Sequence, residues 1–186
     1  MKKENQRVTI TKRLLKESLL RLIRKKEIDH ITITELCSEA EINRATFYRH
    51  YTTPRDVLID IEFDMLYEIK ERCCTPKSLP EVKKHLDEMC RYMYEHADLI
   101  CLLLECNSYA DFVNLLNEFY SFVVAEQSSV KPLLGYDEDS LKLITTYFAG
   151  GGYFLMRQWL TEDIHKTPEE ISDLIWGLFQ ITSLKE

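Results

Sequence analysis

Apolar residues recur at three- and four-residue spacing along most of the chain, and this period constrains the fold more than any other feature. Leu15, Leu19, Leu22 and Ile23 form one stripe, Val57, Leu58, Ile61, Met65 and Ile69 a second, and Val82, Leu86, Met89, Cys90 and Met93 a third. Spacing of this kind buries one face of an α-helix, whereas a strand needs strict alternation. Turn residues agree: 186 residues hold only 5 Gly and 5 Pro, too few for the many turns of a β-sandwich or barrel. With 45% apolar and 30% charged side chains the chain can close a core. The expectation is an all-α fold of about nine helices.

Capping signals place the elements. A first helix is expected over 8–26. Thr32 followed by Glu35 is a capping box, so a short helix starts there and turns Leu36, Cys37 and Ala40 inward. After a break at Glu41, Ile42 and Asn43, Asn43 caps a third helix over 44–50, which buries Phe47 and Tyr51 along one edge. Thr53, Pro54 and Asp56 then restart the chain as a helix to about residue 72. Later helices are expected near 82–96, 99–105, 109–127, 138–161 and 168–184, the last with Thr167 as its cap.

The formal charge of −7 argues against a nucleic-acid partner until it is counted by region. Residues 1–55 hold 13 Lys+Arg against 7 Asp+Glu, a balance of +6, while residues 56–186 hold 11 against 24, a balance of −13. A basic head on an acidic body is the asymmetry of a chain in which one module meets a polyanion. No apolar run reaches the length of a membrane span, and the N-terminus has no secretory h-region. The protein is therefore expected in the cytoplasm, without a membrane partner.

Two short helices across a tight turn form a helix-turn-helix, whose second helix faces base edges while its neighbours touch phosphates. Here that helix offers Asn43, Arg44, Thr46, Tyr48, Arg49 and His50. Arg can take guanine bidentately, and Thr, Tyr and His can donate to phosphate oxygens. The run ITITELCSEAEINRATFYRHY over 31–51, with Asp56, Val57 and Leu58 after it, closely resembles the DNA-binding signature of the tetracycline-repressor (TetR/AcrR) family of bacterial transcription regulators. The resemblance covers residues 8–60. It implies base contacts at Thr34, Asn43, Arg44, Ala45 and Arg49, and phosphate contacts at Thr46, Tyr48 and His50. Three positions depart from the family pattern. Glu41 stands where Gly is usual and must take a left-handed conformation or shift the turn. Pro54 replaces a Lys, passing a phosphate contact to Arg55 or to the helix N-terminus. Ala45 replaces a commoner Gly and adds a methyl that can meet thymine.

The domains expected from this reading are a helix-turn-helix domain over 1–55 and a helical effector-binding and dimerisation domain over 56–186. The last two helices are apolar on more than one face. Leu141, Ile144, Phe148, Gly152, Leu155 and Trp159 make one stripe, and Leu143, Tyr147, Gly150 and Phe154 another. One face serves the protomer core and the other wants a partner. Gly150, Gly151 and Gly152 inside this helix call for a close backbone approach or a kink to offset their low propensity. The resemblance implies dimerisation through these helices, with Phe148, Gly151, Gly152, Leu155, Trp159, Leu174, Ile175 and Leu178 at the interface. It also places an effector pocket in the middle helices, where Met89, Met93, Phe112, Leu116, Phe119, Tyr120, Tyr147 and Tyr153 suit a largely apolar small molecule.

The six cysteines match no metal-ligand spacing and read as core thiols, so neither a metal nor another cofactor is expected. No phosphate loop, nucleophile elbow or H-E-x-x-H pair is present, so the chain is not expected to be an enzyme. The function expected is a homodimeric, ligand-responsive repressor on a palindromic double-stranded DNA operator. The alternative is a co-regulator of the same fold that works by protein interaction without binding DNA, for which Glu41 and Pro54 are the support.

Overall fold

The computed structural model describes residues 2–72, 79–107, 110, 114, 137–162 and 164–183. Among them are eight α-helices and no strand. They are α1 (Lys2–Ile23), α2 (Ile33–Glu39), α3 (Arg44–Phe47), α4 (Pro54–Arg72), α5 (Leu79–Glu95), α6 (Ala97–Cys106), α7 (Glu138–Thr161) and α8 (Pro168–Ser183), with a single 3-10 turn at Ile28–His30. The helix expected over 109–127 lies outside the described residues, as do Cys73 and Cys74.

Two boundaries differ from expectation for local reasons. Helix α1 begins at Lys2 rather than Val8, because Lys, Glu, Gln and Arg are good helix formers even where no apolar stripe marks them. Helix α3 ends at Phe47 rather than His50. There the N–H groups of Arg49 and His50 donate to the carbonyls of Thr46 (3.3 Å) and Phe47 (2.9 Å), a tighter pattern than the α-helix.

The chain divides into two compact units, residues 1–65 and 66–186. The first unit runs past the boundary expected at residue 55, because the opening turns of α4 bury Val57, Leu58 and Ile61 within it. Leu15, Leu19, Leu36 and Phe47 have no exposed surface, and Tyr51 is buried at the end of the segment that follows α3. Polar contacts lace α1 to α4. Lys12 reaches Asp60 at 3.1 Å, and Lys16 reaches Asp60 at 3.0 Å and Asp64 at 2.5 Å. Counted over 1–65 rather than 1–55, the unit holds 13 Lys+Arg against 11 Asp+Glu, a balance of +2, since α4 brings Asp56, Asp60, Glu62 and Asp64.

In the second unit Cys90, Met156, Trp159 and Ile171 form a buried cluster, with Leu86, Met89, Met93, Leu155, Leu160 and Ile175 packed against it. The indole N–H of Trp159 donates to the Lys166 carbonyl at 2.9 Å. Helices α5 and α8 are joined by Lys83, which pairs with Asp87 and, at 2.9 Å, with Asp173, and by Arg91, which meets Glu169 at 3.1 Å. Buried Ser172 accepts from Lys83 at 3.0 Å and donates to Asp87. The last turns of α4 join α5 through the Tyr92 hydroxyl, which donates to Glu68 at 2.9 Å, and the Arg72 guanidinium, 4.8 Å from the Tyr92 ring centroid.

Candidate nucleic-acid interface

The turn between α2 and α3 is built from backbone and cap bonds. At its start Thr32 Oγ1 accepts from the Glu35 N–H at 3.2 Å, and the Glu35 carboxylate accepts from the Thr32 N–H at 3.0 Å, a complete capping box. Lys26 donates to that carboxylate at 2.6 Å. This contact, with the bonds from Thr32, lowers the Glu35 pKa to about 2. At the C-terminus of α2, Glu41 takes φ 55°, the left-handed conformation. Its N–H donates to the Ser38 carbonyl at 3.3 Å and that of Ile42 to the Cys37 carbonyl at 2.9 Å. These are the two bonds of a Schellman motif, so the turn keeps its geometry with Glu where Gly is easier. Asn43 Oδ1 then accepts from the Ala45 N–H at 2.8 Å and starts α3. That oxygen serves the cap, and the side-chain amide N–H groups are left for any base contact.

Helix α3 presents a row of exposed polar groups because its opposite edge is buried. Phe47 is fully enclosed and packs edge-on against Tyr48 and at a tilt against Tyr51. Asn43, Arg44, Ala45, Tyr48 and Arg49 are exposed, Thr46 and His50 are half-buried, and Thr34 is exposed on α2. The Arg44 guanidinium donates to the Tyr48 hydroxyl at 3.4 Å, one helical turn away. Many other cations of this unit are already matched by acids: Lys12 and Lys16 by α4, Arg21 by Glu39 at 2.7 Å, Lys26 by Glu35. Arg55, the residue expected to take over a phosphate contact, reaches Asp29 at 2.9 Å. Among the described residues neither Arg44 nor Arg49 is ion-paired. The restart after α3 is also capped, with the Asp56 carboxylate accepting from the N–H groups of Thr52 (2.6 Å) and Thr53 (2.9 Å).

The second unit distributes its candidate residues over core and surface. Met89 and Met93 pack against the buried cluster, and Tyr153 is buried. Tyr147 stands 69% exposed on the outer face of α7, so it is not enclosed with them. Phe112, Leu116, Phe119 and Tyr120 lie outside the described residues. Of the residues expected at an interface, Trp159 belongs to the protomer's own core, with Leu155 and Ile175 packed beside it. Leu174 and Leu178 are each 49% exposed. In α7 the outward stripe is the other one, with Leu143 at 72% and Phe154 at 57% exposure. The Phe148 side chain lies outside what is described. A Cβ added at Gly151 or Gly152 would meet nothing within 4 Å, so among the described residues no close approach accounts for these two glycines.

Cys37 and Cys90 are buried and Cys101 and Cys106 half-buried, all as free thiols. Burial, with Asp87 nearby, pushes the Cys90 thiol up to about 12, which keeps it protonated and unreactive. Among the described residues no group of His, Cys, Asp or Glu is arranged to hold a metal ion. No described helix is long and apolar enough to cross a membrane.

An N-capped helix with an exposed polar face, following another helix across a closed turn, has the geometry of a helix-turn-helix. The comparisons with known proteins define the class through the rest of the chain. A TetR-type family model described as "Transcriptional regulator C-terminal region" matches residues 81–180, more than half of the sequence. The chain belongs to the TetR family, which consists of transcriptional regulators rather than enzymes. It is 22% identical over 177 residues to an uncharacterized HTH-type transcriptional regulator, YxbF, of Bacillus subtilis. That match covers 88% of this chain, and the chain spans 43% of the length of that relative. The fold is shared with a TetR transcriptional regulator from Streptococcus agalactiae (TM-score 0.65, 17% identity, 94% of this chain and 96% of the other). It is shared also with the dihydroxyacetone kinase operon activator DhaS (TM-score 0.51, 14% identity, the same coverage).

Proposed function

We propose that this chain is a homodimeric, ligand-responsive repressor that reads a palindromic operator in double-stranded DNA through α3. The observation that carries the reading is the exposed state of Arg44 and Arg49, neither of them ion-paired, on a capped helix whose other edge is buried, in a unit where Lys12, Lys16, Arg21 and Lys26 are matched to acids. Arg44 is assigned to a base edge. Thr34, Asn43, Ala45 and Arg49 flank it, with Thr46, Tyr48 and His50 on phosphates and the Arg55 guanidinium shared between Asp29 and the backbone of the duplex. Dimerisation is assigned to the outward apolar residues Leu143, Tyr147, Phe154, Leu174 and Leu178 with Gly151, in place of the inward-facing Leu155 and Trp159. A self-complementary face suits a two-fold protein on a two-fold operator. The effector site is assigned to the soft side chains Met89 and Met93 and to Tyr153, where thioethers can repack around an apolar guest. An effector acts only by binding the DNA-competent and DNA-incompetent states unequally. DhaS is named an activator, so activation is one role this fold can serve. Repression is the simpler assignment, because a dimer on DNA blocks a promoter without any further contact.

The near-neutral balance of +2 over the compact head favours the second reading, a co-regulator that does not bind DNA. Selection from a randomised duplex library, followed by anisotropy at rising salt, separates the two. The first reading predicts an enriched palindrome and an affinity that falls steeply with salt, and absence of binding at low salt selects the second.

A further inference from the structure

The recognition helix cannot hold its own direction. Helix α3 is four residues long, and helices shorter than about 12 residues are marginal without tertiary contacts. Its orientation comes from the buried Phe47 in its middle and from what fixes its two ends. The N-terminal end is held by Asn43 and the closed turn. Past the other end stands Tyr51, buried, whose hydroxyl donates to the Asp60 carboxylate on α4.

We infer that Asp60 is the positioning residue of the recognition helix, fixing Tyr51 and through it the direction of Arg44 and Arg49. Its carboxylate is where three elements meet. Besides Tyr51 it takes Lys12 at 3.1 Å and Lys16 at 3.0 Å from α1, and Lys16 also donates to the Asp60 carbonyl at 3.1 Å. Lys12 sits over the Tyr51 ring, 5.3 Å from its centroid, so the phenol is held at both its edge and its face. The spacing is reciprocal: Lys12 and Lys16 are one turn apart on α1, as Asp60 and Asp64 are on α4, and Lys16 bridges the two acids. Such a brace resists sliding of α1 along α4 and leaves Tyr51 a single acceptor in a single place. Although burial opposes its ionisation, the bonds from Tyr51, Lys16 and Lys12 hold the Asp60 carboxyl below its ordinary range, while burial and Asp60 together keep the Tyr51 phenol protonated. The hydrogen bond therefore persists across the physiological range.

This inference rests on the DNA-binding reading, and a positioning role differs from a merely structural one in what it does to specificity. A head that partly unfolds loses affinity for every duplex alike, whereas a folded head with a misdirected α3 keeps its phosphate attraction and loses its preference among sequences. The test measures anisotropy on a duplex selected by the unaltered protein and on poly(dI-dC), for the unaltered protein, Tyr51→Phe, Asp60→Asn and the double variant, with thermal melting alongside. The expectation is a specific-to-nonspecific ratio reduced tenfold or more in each single variant, nonspecific binding within twofold, and no further loss in the double variant. Tyr51→Phe removes one hydroxyl and leaves the lysine brace, so it reports even where Asp60→Asn lowers melting. An unchanged ratio, or equal losses on both duplexes, overturns the inference while the DNA-binding reading stands. Failure of the unaltered protein to bind either duplex overturns both.

Discussion

The two compact units solve opposite problems. Residues 1–65 satisfy most of their polar groups internally: helix starts at Thr32, Asn43 and Thr53 are capped by side chains, and Lys12, Lys16 and Lys26 are matched to acids, while Ile10, Leu14 and Ile59 stay only partly covered. What remains outward on α3 is polar. Residues 66–186 close a core around Cys90 and Trp159, yet leave Leu143, Tyr147 and Phe154 more than half exposed on α7. On the proposed function, the polar face of α3 meets phosphates and bases. The body carries apolar surface that water disfavours, which the proposed function assigns to a second copy. Exposed chemistry is thus divided by position, polar on α3 and apolar on one face of α7.

Phe47→Ala is expected to break the head most severely. Emptying a fully enclosed aromatic site costs about 3 to 5 kcal/mol, a large share of a small unit's stability. Denaturant unfolding followed by circular dichroism should show the loss in the transition assigned to residues 1–65, with the body's transition kept. Leu174→Glu should act on the body in another way. On a monomer an exposed substitution of this kind changes stability by about 0.5 kcal/mol or less, but a charge buried at a two-fold interface meets its own copy. Sedimentation should show a dimer becoming a monomer with its fold retained.

Glu41→Gly is expected to stabilise the head. Relief of a left-handed non-glycine residue is worth about 1 to 2 kcal/mol, and the extra freedom of Gly in the unfolded chain takes back about 0.4 to 1, leaving roughly 0 to 1.6 kcal/mol in urea titration. The smallest effect concerns acid. The Glu35 pKa is depressed in the folded chain, so its contribution to stability is present above 4.5 and is lost as pH falls from 4.5 towards 2. Glu35→Gln should flatten that part of the head's stability profile and leave the profile above pH 5 unchanged.

Local chemistry made the head legible. Thr32 with Glu35, Asn43, Thr53 with Asp56, and Thr167 with Glu170 each act within a few residues, and each is seen as a side chain meeting a nearby N–H. At Glu41 the sequence left two outcomes open, a left-handed residue or a shifted turn, and the structure takes the first. Legibility failed where distant elements decide. Helix α7 is apolar on two faces, and nothing in its spacing says that the stripe of Leu155 and Trp159 faces inward while that of Leu143 and Phe154 faces out. The bracing of α1 by α4 joins residues 48 apart in sequence, Lys12 with Asp60 and Lys16 with Asp64. Matching pairs of opposite charge, each one turn apart, were the available signal. Charge by region needed the same correction, since the boundary at residue 65 brings four acids into the head and reduces its balance from +6 to +2.

The central claim is that two copies of α3 read one operator. A hydroxyl-radical footprint of the unaltered protein on its selected duplex tests it most directly. Two protected patches related by a two-fold axis are expected, their centres one helical turn or a multiple of it apart, about 10 base pairs for adjacent grooves. A single patch without symmetry, or no protection under conditions where the protein is folded and dimeric, would contradict it.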